Sequence, residues 1–318
     1  MVRVSVLLPV RDAEPWLASS LASLARQSVT DHEVIAVDDG SLDRSGEILE
    51  RAARRDARLV VRRTERRGLP SALNLALSLA RASWVARHDA DDLSHRVRFE
   101  RQLAFATAHP ELDVIGTRLK LFPAHASGAG MRRWAAWHDS LLDHESMRRE
   151  LLIDSPLAHG TALIRRSRLE SEGGWQDHGW AEDLDLWVRL FRAGARFGKV
   201  PEPLYGWRQH PGSSTRVDAR YALERFRALK LAALDEGFLR GRGHATLIGV
   251  GNSLSSWRDS LASRLGHSHE IRRPTPVAIP MLRPPLVIAL MATSARERWR
   301  GFLTEQGMME LDDFIFVA

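Results

Sequence analysis

Short apolar runs alternate with amphipathic segments through residues 4–87, and this alternation constrains the fold more than any other feature of the sequence. Four of the runs predict strands, at 4–10, 34–37, 59–62 and 84–87. The segments between them carry apolar residues at helical spacing, which predicts helices. Strands joined by helices through short loops pair in parallel and are covered by those helices. We therefore expect an α/β fold with a parallel sheet flanked by helices.

The rest of the chain predicts a less regular middle and a second α/β series near the end. Strands are expected at 113–117 and 163–165, helices at 182–193 and 217–237, and irregular segments at 123–150 and 201–216. The final series has strands at 245–250, 286–291 and 314–317, and helices from Ser253 through Leu265 and at 295–306. A chain of 318 residues has room for roughly two domains. We predict a first domain of residues 1–238 and a small α/β domain of residues 239–318.

The composition narrows the chemistry that the chain can perform. It contains no cysteine, which excludes disulfide scaffolds, iron–sulfur clusters and cysteine nucleophiles. The net charge is +6, from 46 basic and 40 acidic residues, and all but three of the basic residues are arginine. Because these arginines alternate with acids along the predicted helices, we ascribe the surplus to codon usage and expect no nucleic-acid partner. A non-catalytic polyanion-binding protein is the alternative interpretation.

No segment has the pattern of a secretion signal or of a membrane-spanning helix. The apolar run at 4–10 is too short for a signal peptide and lacks a small-residue cleavage site. The apolar segment 286–292 is far shorter than the roughly 20 residues that a spanning helix needs. We expect a cytoplasmic protein and leave open a peripheral association with the inner face of the membrane.

Two groups of acidic residues follow directly after predicted strands. Asp38 and Asp39 follow the second strand, and the sequence Asp-Ala-Asp-Asp at 89–92 follows the fourth. In open α/β sheets, ligands bind at the carboxyl ends of the strands. Three acids within four residues repel one another unless a cation or hydrogen-bond donors offset the charge. Mg²⁺ or Mn²⁺ suits such oxygen ligands and leaves places for substrate phosphates. The second group therefore predicts a site for a metal–diphosphate substrate, and a solvated acidic turn is the alternative.

Five segments in a fixed order carry a resemblance to a known family. They are VSVLLPVRDAEPWLASSLASLARQS, VIAVDDGSLDRS, RGLPSALNLALSLARASWVARHDADDL, HGTALIRRSRLESEGGW and AEDLDLWVRLFRAG, and they fall within residues 1–215. With these segments the chain resembles the family 2 glycosyltransferases, which are inverting enzymes with a GT-A fold and a nucleotide-sugar donor. The resemblance implies a Rossmann-like nucleotide-sugar-binding sheet, sugar transfer to an acceptor hydroxyl, and Mn²⁺ or Mg²⁺ as cofactor.

The resemblance also implies roles for residues at the donor site. Residues that match the positions facing the nucleotide, ribose and donor pocket are Pro9, Val10, Asp39, Arg67, Asn74, Asp89 and Asp91. Among these, Asp39 matches the acid that pairs with a uracil or thymine base, and Asp89 and Asp91 match the Asp-x-Asp motif. The implied metal ligands are Asp91, Asp92 and His210. The chain departs from the family at Arg11, where Asn is usual.

The resemblance places the catalytic base at Asp183, next to Glu182. An inverting transfer needs one carboxylate to take the proton of the attacking acceptor hydroxyl. A helix N-terminus favours an ionised acid, so we expect Asp183 to be ionised. Stabilisation of the first helical turn is the structural alternative for this acidic pair. His159 and Trp180 are expected on the acceptor side, and glycan, lipid-linked and small-molecule acceptors are all left open.

The C-terminal series begins with a glycine-containing turn after a strand. Gly249 and Gly251 resemble the start of a dinucleotide-binding motif, but Leu254 stands in the place of its third glycine. We therefore expect no bound dinucleotide, and the segment resembles a shortened Rossmann-like module of packing, oligomerisation or regulatory role. A nucleotidyltransferase acting on sugar phosphates is the other enzyme class considered. The absence of a glycine-rich phosphate loop after the first strand disfavours it.

Overall fold

The computed structural model describes residues 2–262, 265–270 and 282–318, with the backbone alone at 265–270. The chain divides into two compact units, and each is described by itself. The first unit comprises Met1–Met147, Pro156–His178 and Asp185–Asp218. The second comprises Arg148–Ser155, Gly179–Leu184 and Ala219–Ala318. The domain boundary expected after residue 238 stays a prediction, because compactness does not test which segments fold alone.

The first unit is built on an eight-stranded sheet. Its strands are β1 (Val4–Val10), β2 (His32–Asp39), β3 (Leu59–Thr64), β4 (Trp84–Arg87), β5 (Leu93–Ser94), β6 (Val114–Phe122), β7 (Leu163–Arg165) and β8 (Phe197–Arg208). Their order across the sheet is β3-β2-β1-β4-β7-β6-β8-β5. The predicted α/β class is confirmed, and the strands predicted at 4–10, 84–87 and 163–165 have the observed bounds.

The strand order creates a crevice beside β1. This strand pairs in parallel with β2 on one side and with β4 on the other, while β3 adds in parallel to β2. The chain therefore moves outward to β3 and returns on the opposite side of β1. Such a reversal opens a ligand crevice at the carboxyl ends of the two strands that flank it. The parallel pairing expected from the alternation in residues 4–87 is confirmed, and the sheet becomes mixed beyond β4, where β7 runs antiparallel to it.

Ten α-helices lie within residues 2–240. They are α1 (Glu14–Ala25), α2 (Ser45–Ala53), α3 (Leu69–Leu79), α4 (Arg98–Ala108), α5 (Ala129–Ser140), α6 (His144–Glu150), α7 (Arg166–Ser171), α8 (Glu182–Arg192), α9 (Ser214–Val217) and α10 (Leu223–Glu236). The segment 123–150, expected to be irregular, is thus mainly helical. None of the helices in the described ranges is long and apolar enough to span a bilayer.

Strand β8 extends through residues that were expected to form a loop. The prolines at 201 and 203 suggested a break, because proline cannot donate to a sheet ladder. The structure accommodates them in an irregularity of the pairing with β6, where Thr117 pairs with Val200 and the next pair is Arg118 with Pro203. The extra residues on β8 form a bulge, after which pairing continues to Arg208.

The core of the first unit lies against the parallel part of the sheet. Every residue of β2 is buried, and all of β1 except Pro9 is buried as well. Strands covered on both faces are expected to be continuously apolar. Leu17 and Leu24 of α1, Leu49 of α2 and Phe99 of α4 pack into the same cluster. This packing makes the carboxyl ends of β1 and β2 a rigid platform for the loops that follow them.

The second unit contains a four-stranded parallel sheet. Its strands are β9 (Ala245–Gly249), β10 (Leu265–Glu270), β11 (Leu286–Ala289) and β12 (Phe314–Val317), in the order β10-β9-β11-β12. Helices α11 (Gly251–Ser260) and α12 (Thr293–Glu305) connect them. The small C-terminal sheet is as expected, but the helix predicted through Leu265 is wrong, since α11 ends at Ser260 and Leu265 begins β10.

Candidate active site

Asp43 and Ser45, at the start of α2, join the loop after β2 to the loop after β1. The two carboxylate oxygens of Asp43 accept hydrogen bonds from the N–H groups of Glu14 at 2.8 Å and Ser45 at 2.9 Å. The hydroxyl of Ser45 accepts the N–H of Ala13 at 2.9 Å. These bonds satisfy free N–H groups at the starts of α1 and α2. Pro9 and Val10, at the end of β1, are thereby held beside the carboxyl end of β2.

Asp39 ends β2 and is bound by the loop before α3. Its Oδ1 accepts the N–H of Arg67 at 2.6 Å, and its Oδ2 accepts the N–H of Gly68 at 3.0 Å. Gly40 has φ +69°, and a Cβ there would come 2.8 Å from the nitrogen of Arg66. A glycine at this position therefore allows the loop to close over the acid. Each oxygen keeps a lone pair that can accept one further donor.

Asp89, the first acid after β4, is held by the sheet. Its carboxylate pairs with the buried guanidinium of Arg87 at 2.6 Å. Its N–H donates to the hydroxyl of Tyr205 on β8 at 3.2 Å, and that hydroxyl donates to the Asp89 carboxylate at 3.4 Å. Arg87 and Tyr205 were not singled out in the sequence. Both fix the direction of the first acid of the Asp-x-Asp segment.

The other two acids contact the end of β8 and the residues after it. Asp91 Oδ2 lies 2.8 Å from Nε2 of His210, and Asp92 Oδ1 accepts the N–H of Arg208 at 2.7 Å. Arg208 also donates from Nε to the carbonyl of Asp91 at 2.6 Å. Of the three predicted metal ligands, the structure thus places Asp91 and His210 in contact, while Asp92 binds the main chain two residues before His210. Arg208, which sequence reasoning missed, joins them.

Burial and mutual repulsion disfavour the ionised forms of these acids. The pKa of Asp91 is raised by burial and then by the charge of Asp89, against the hydrogen bond with His210. The pKa of Asp92 is raised well above its usual range by burial and by the charges of Asp91 and Asp89. A cation or a set of N–H donors beside such a group lowers the electrostatic cost of ionisation.

The donor set fits a hard divalent ion that is bound together with its substrate. Asp91 and His210 present a carboxylate and an imidazole side by side. Within residues 2–262, 265–270 and 282–318, no three His, Asp or Glu side chains are grouped so that they could hold a metal ion by themselves. Mg²⁺ and Mn²⁺ are commonly bound by one or two carboxylates, with water and substrate phosphates in the other places.

Two of the predicted site residues brace neighbouring loops. The amide of Asn74 donates to the carbonyl of Trp175 at 2.7 Å and accepts the N–H of Trp175 at 2.9 Å. The indole of Trp175 in turn donates to Nε2 of His159 at 2.9 Å, so this nitrogen carries no proton. Trp175 is buried, as expected of a core residue. The structure therefore gives Asn74 and His159 packing partners, and their roles toward substrates stay predictions.

In the second unit, the acidic pair at the start of α8 has two different environments. Glu182 is buried and accepts hydrogen bonds from the hydroxyl of Tyr221 at 3.1 Å, with Arg220 at 3.4 Å. Asp183 is less buried, and its Oδ2 accepts the hydroxyl of Ser155 at 3.2 Å. Trp180, three residues before Asp183, is half-buried.

The pKa of Asp183 differs from the expectation based on the helix N-terminus. Burial, followed by the charges of Glu182 and Asp154, raises the pKa of Asp183 to about 7. The N–H of Leu184 and the hydroxyl of Ser155 act in the opposite direction and are outweighed. Asp183 is therefore poised between its acid and base forms at neutral pH, a property that suits a general base.

Comparison with known sequences identifies the family. Residues 5–173 match the family described as Glycosyl transferase family 2, which is more than half of the chain. The putative glycosyltransferase EpsE of Bacillus subtilis is 31% identical over 228 residues, covering 70% of this chain and 78% of that protein. The amylovoran biosynthesis glycosyltransferase AmsE of Erwinia amylovora is 28% identical over 251 residues, covering 76% and 90%. The chain belongs to glycosyl transferase family 2 and is a glycosyltransferase.

Comparison with solved structures supports the same fold. S. aureus TarS in complex with UDP-GlcNAc aligns with a TM-score of 0.60 at 21% identity, over 76% of this chain and 68% of that one. The mannosyltransferase PcManGT from Pyrobaculum calidifontis, in complex with GDP-Man and Mn²⁺, aligns with a TM-score of 0.52 at 19% identity, over 74% and 75%. At these identities the likeness is one of fold, and it confirms the expected GT-A class.

Proposed function

We propose that this glycosyltransferase moves a sugar from a UDP- or TDP-type donor to an acceptor hydroxyl with inversion at the anomeric carbon. The observation that carries this proposal is the arrangement of acids at the carboxyl ends of β2 and β4, on either side of β1. Asp39 lies at one end, and Asp89 and Asp91 follow the other. The family match favours glycosyl transfer over nucleotidyl transfer and over non-catalytic binding of polyanions.

The donor is proposed to lie across the end of β1. Pro9 and Val10 would contact the base, and the Asp39 carboxylate would accept the ring N–H of uracil or thymine through a free lone pair. Its two hydrogen bonds with the N–H groups of Arg67 and Gly68 fix the direction of the carboxylate and support this role. Asp89, oriented by Arg87 and Tyr205, would accept hydrogen bonds from the ribose hydroxyls.

The diphosphate of the donor is proposed to lie beside Asp91 and His210. These residues would hold Mn²⁺ or Mg²⁺, which, when bound, stabilises the negative charge that develops on the departing diphosphate. Asp92 is buried and accepts the N–H of Arg208, and its proposed role is to orient the acidic turn. The guanidinium of Arg208 lies 4.6 Å from the ring of Trp16 and 4.5 Å from the ring of Phe122. These contacts hold a cation next to the same acids.

Asp183 is proposed as the general base. Its carboxylate takes the proton of the acceptor hydroxyl while that oxygen forms the bond to the anomeric carbon and the bond to the diphosphate oxygen breaks. Glu182 is engaged with Tyr221 and Arg220, so it acts by raising the pKa of its neighbour. His159 and Trp180 are proposed to lie on the acceptor side. Because AmsE is named for amylovoran biosynthesis, we propose a cell-surface glycan as the acceptor class.

The stereochemistry of the product tests the proposed mechanism. The purified chain is incubated with Mn²⁺, a panel of α-linked UDP- and TDP-sugars and glycan or lipid-linked acceptors, and the anomeric configuration of the product is read by proton NMR. The proposal expects a β-linked product and a free nucleoside diphosphate. An α-linked product would contradict single displacement with Asp183 as the base.

A further inference from the structure

Two cavities of the first unit are lined by none of the residues proposed to contact the donor or the metal or to act as the base, although Tyr205, which orients Asp89, lines one of them. One lies between α1 and α2 and has a volume of about 610 Å³. The other lies between the end of α1, β5 and β8 and has a volume of about 440 Å³. Both volumes fall in the range of roughly 300–1,000 Å³ that is usual for ligand sites. We call them the α1–α2 groove and the α1–β8 cavity.

The α1–α2 groove has an apolar floor and a cationic rim. Its floor includes Leu21, Ala22, Ile48, Ala52 and Leu59, and its rim includes Arg51 and Arg55. Arg51 lies in the last turn of α2, Arg55 lies two residues beyond the end of that helix, and both are exposed. Among the described residues neither forms an ion pair, so the rim carries two cations without a paired acid.

The single acid in the lining of the groove does not offset these charges. Asp56 is paired with Arg58 at 2.7 Å and also accepts the Arg58 Nε–H at 2.9 Å. Arg58 thereby neutralises Asp56, and the rim retains the charges of Arg51 and Arg55. The groove as a whole is complementary to a partner that is apolar in the middle and anionic at the edge.

The α1–β8 cavity also has an apolar floor and a cationic rim, and its rim has three arginine or lysine side chains. Its floor includes Leu93, Phe122 and Leu204, and its rim carries Arg26, Arg96 and Lys120 together with His95. No acidic residue lines it. In the described part of the chain, the side chains of Arg26, Arg96 and Lys120 form no ion pair.

The end of helix α1 lines both cavities. Ala22 and Ala25 line the groove, and Ser23 and Arg26 line the cavity, so the two linings meet at the exposed neighbours Ala25 and Arg26. A soluble anion would satisfy the rims and leave both apolar floors in water. A lipid surface supplies anionic headgroups across the whole face and hydrocarbon that can cover the floors at the same time.

We propose that this face, formed by the α1–α2 groove and the α1–β8 cavity, binds the surface of a membrane that contains anionic phospholipids. The five unpaired cations contact the headgroups, and the apolar floors take up hydrocarbon between them. Membrane binding by this face needs neither donor nor metal. An experiment can therefore contradict membrane binding without contradicting the proposed sugar transfer, and can contradict sugar transfer without contradicting membrane binding. It would explain how a chain with no spanning helix in its described ranges reaches lipid-anchored glycans.

Vesicle sedimentation of the full chain tests the proposal. Vesicles of phosphatidylcholine with an equal share of phosphatidylglycerol are compared with vesicles of phosphatidylcholine alone, in the absence of donor. The wild type is expected to sediment with the anionic vesicles only, and less so as salt is raised. The combined variant Arg51→Gln, Arg55→Gln, Arg96→Gln and Lys120→Gln is expected to bind about tenfold more weakly or worse.

Two matched comparisons separate a defined face from general charge attraction. Arg240→Gln with Arg258→Gln changes exposed arginines of the second unit and is expected to bind like the wild type. Ala18→Glu adds an acid to the lining of the groove and is expected to weaken binding. Ala104→Glu adds the same acid on the exposed side of α4 and is expected to leave binding unchanged. Each of these variants is expected to unfold at the wild-type temperature.

Several results would overturn the proposal. They are the absence of binding to anionic vesicles, equal binding to phosphatidylcholine alone, and wild-type binding by the combined variant or by Ala18→Glu. An equal loss in the Arg240→Gln, Arg258→Gln control would show that only net charge matters. If inorganic phosphate releases the protein from the vesicles far more effectively than chloride does at equal ionic strength, the face binds a soluble anion instead.

Discussion

Asp183 and Glu182 are neighbours in sequence, yet their contacts differ. Glu182 has a hydroxyl donor in Tyr221 and a cation in Arg220, both of which keep it engaged with the protein. Asp183 has a hydroxyl donor in Ser155, and its pKa is raised to about 7 by burial and by the charge of Glu182. A base must be deprotonated to act, so activity that depends on Asp183 is lost as the pH falls below that pKa.

Substitution of Asp183 is expected to remove this pH dependence. In the wild type, kcat/KM should rise about tenfold per pH unit up to pH 7 and then level off, because only the carboxylate accepts a proton. Asp183→Asn should lower kcat by about 10²–10⁴-fold and flatten the profile, since positioned proton transfer contributes that much. Rates are measured by release of nucleoside diphosphate from about pH 5.5 to about pH 9, because this range extends to both sides of the pKa of Asp183.

A matched control distinguishes loss of the base from loss of structure. Glu224 is an exposed acid in the first turn of α10, in the same unit, and Glu224→Gln removes the same charge from a comparable helical position. This variant should keep the wild-type rate and pH profile. A normal rate in Asp183→Asn, or an unchanged profile in that variant, would refute the assignment of the base.

The pairing of Asp91 with His210 predicts how the enzyme depends on metal. Asp91→Ala should reduce turnover by about 10²–10³-fold, as expected when a charge-stabilising group at the leaving diphosphate is removed. His210→Ala should instead raise the Mn²⁺ concentration needed for half-maximal rate by about tenfold, since one ligand or its partner is lost. A Mn²⁺ titration of initial rates measures both effects. An unaltered titration curve for His210→Ala would exclude that residue from the metal site.

Candidate site residues could be proposed from the sequence where they stand at the end of a strand. Asp39 and Asp91 were candidates because ligands bind at the carboxyl ends of strands in open α/β sheets and because the family motifs contain these acids. The partners of these acids were not recognisable. Arg208 contacts Asp92 across 116 residues, and Tyr221 contacts Glu182 across 39, so no local pattern indicates either pair. Long-range contacts of this kind depend on tertiary packing.

At the scale of elements, β8 connects the sheet to the acids after β4. It contributes Tyr205 to Asp89 and Arg208 to Asp91 and Asp92, so the exact path of this strand sets the geometry of the donor site. Gly160 lies against Tyr205, and a Cβ on Gly160 would clash with its phenol oxygen. The glycine therefore allows Tyr205 to reach Asp89.

A methyl group at this contact is expected to disturb the donor site. Gly160→Ala should displace the Tyr205 hydroxyl from Asp89 and raise the KM for the donor by about tenfold, the cost of one good hydrogen bond to a charged group. Gly130→Ala is the control, because a Cβ on Gly130 meets open space. Donor saturation curves for the two variants measure the difference. Equal KM values would show that Tyr205 does not position Asp89.

Elements with a strong local pattern were predicted well and those with a conflicting pattern were not. β1, β4 and β7 are short runs with clear boundaries, and their bounds were predicted correctly. β8 was missed because Pro201 and Pro203 signal a loop, while the structure places them at a bulge. α5 was missed because Gly130, a weak helix former, and the Trp and His residues around it were interpreted as irregular structure. In each case tertiary packing outweighed local preference.

At the scale of the whole molecule, the second unit joins segments that are far apart in the chain. The buried carboxylate of Glu150 pairs with Arg296 at 2.6 Å and with Arg300 at 3.1 Å. The buried ammonium of Lys230 donates to the carbonyl of Ala318 at 2.7 Å. All three contacts link residues before position 238 to residues after it. A fragment that ends at the predicted boundary would leave Glu150 without these partners.

Truncation after residue 238 is therefore expected to destabilise the remaining chain. Loss of the partners of a charge that stays buried costs roughly 3–5 kcal/mol, which is an upper limit here because the truncation also lets water reach Glu150. For a chain of this size, that corresponds to a Tm lower by about 10 °C. Thermal unfolding followed by circular dichroism measures the change, and Glu150→Gln within the fragment should restore part of it. A fragment as stable as the full chain would instead support residues 239–318 as a separately folding domain.

The release of nucleoside diphosphate from a sugar donor is the most direct measurement of the central claim. Purified wild type, Asp91→Ala and Asp183→Asn are incubated with Mn²⁺, a panel of UDP- and TDP-sugars and a broad panel of acceptors. The wild type should release diphosphate with at least one donor, and both variants should be slower by about two orders of magnitude or more. Absence of release by the wild type with every donor, or equal rates in all three proteins, would contradict the proposed sugar transfer at this site.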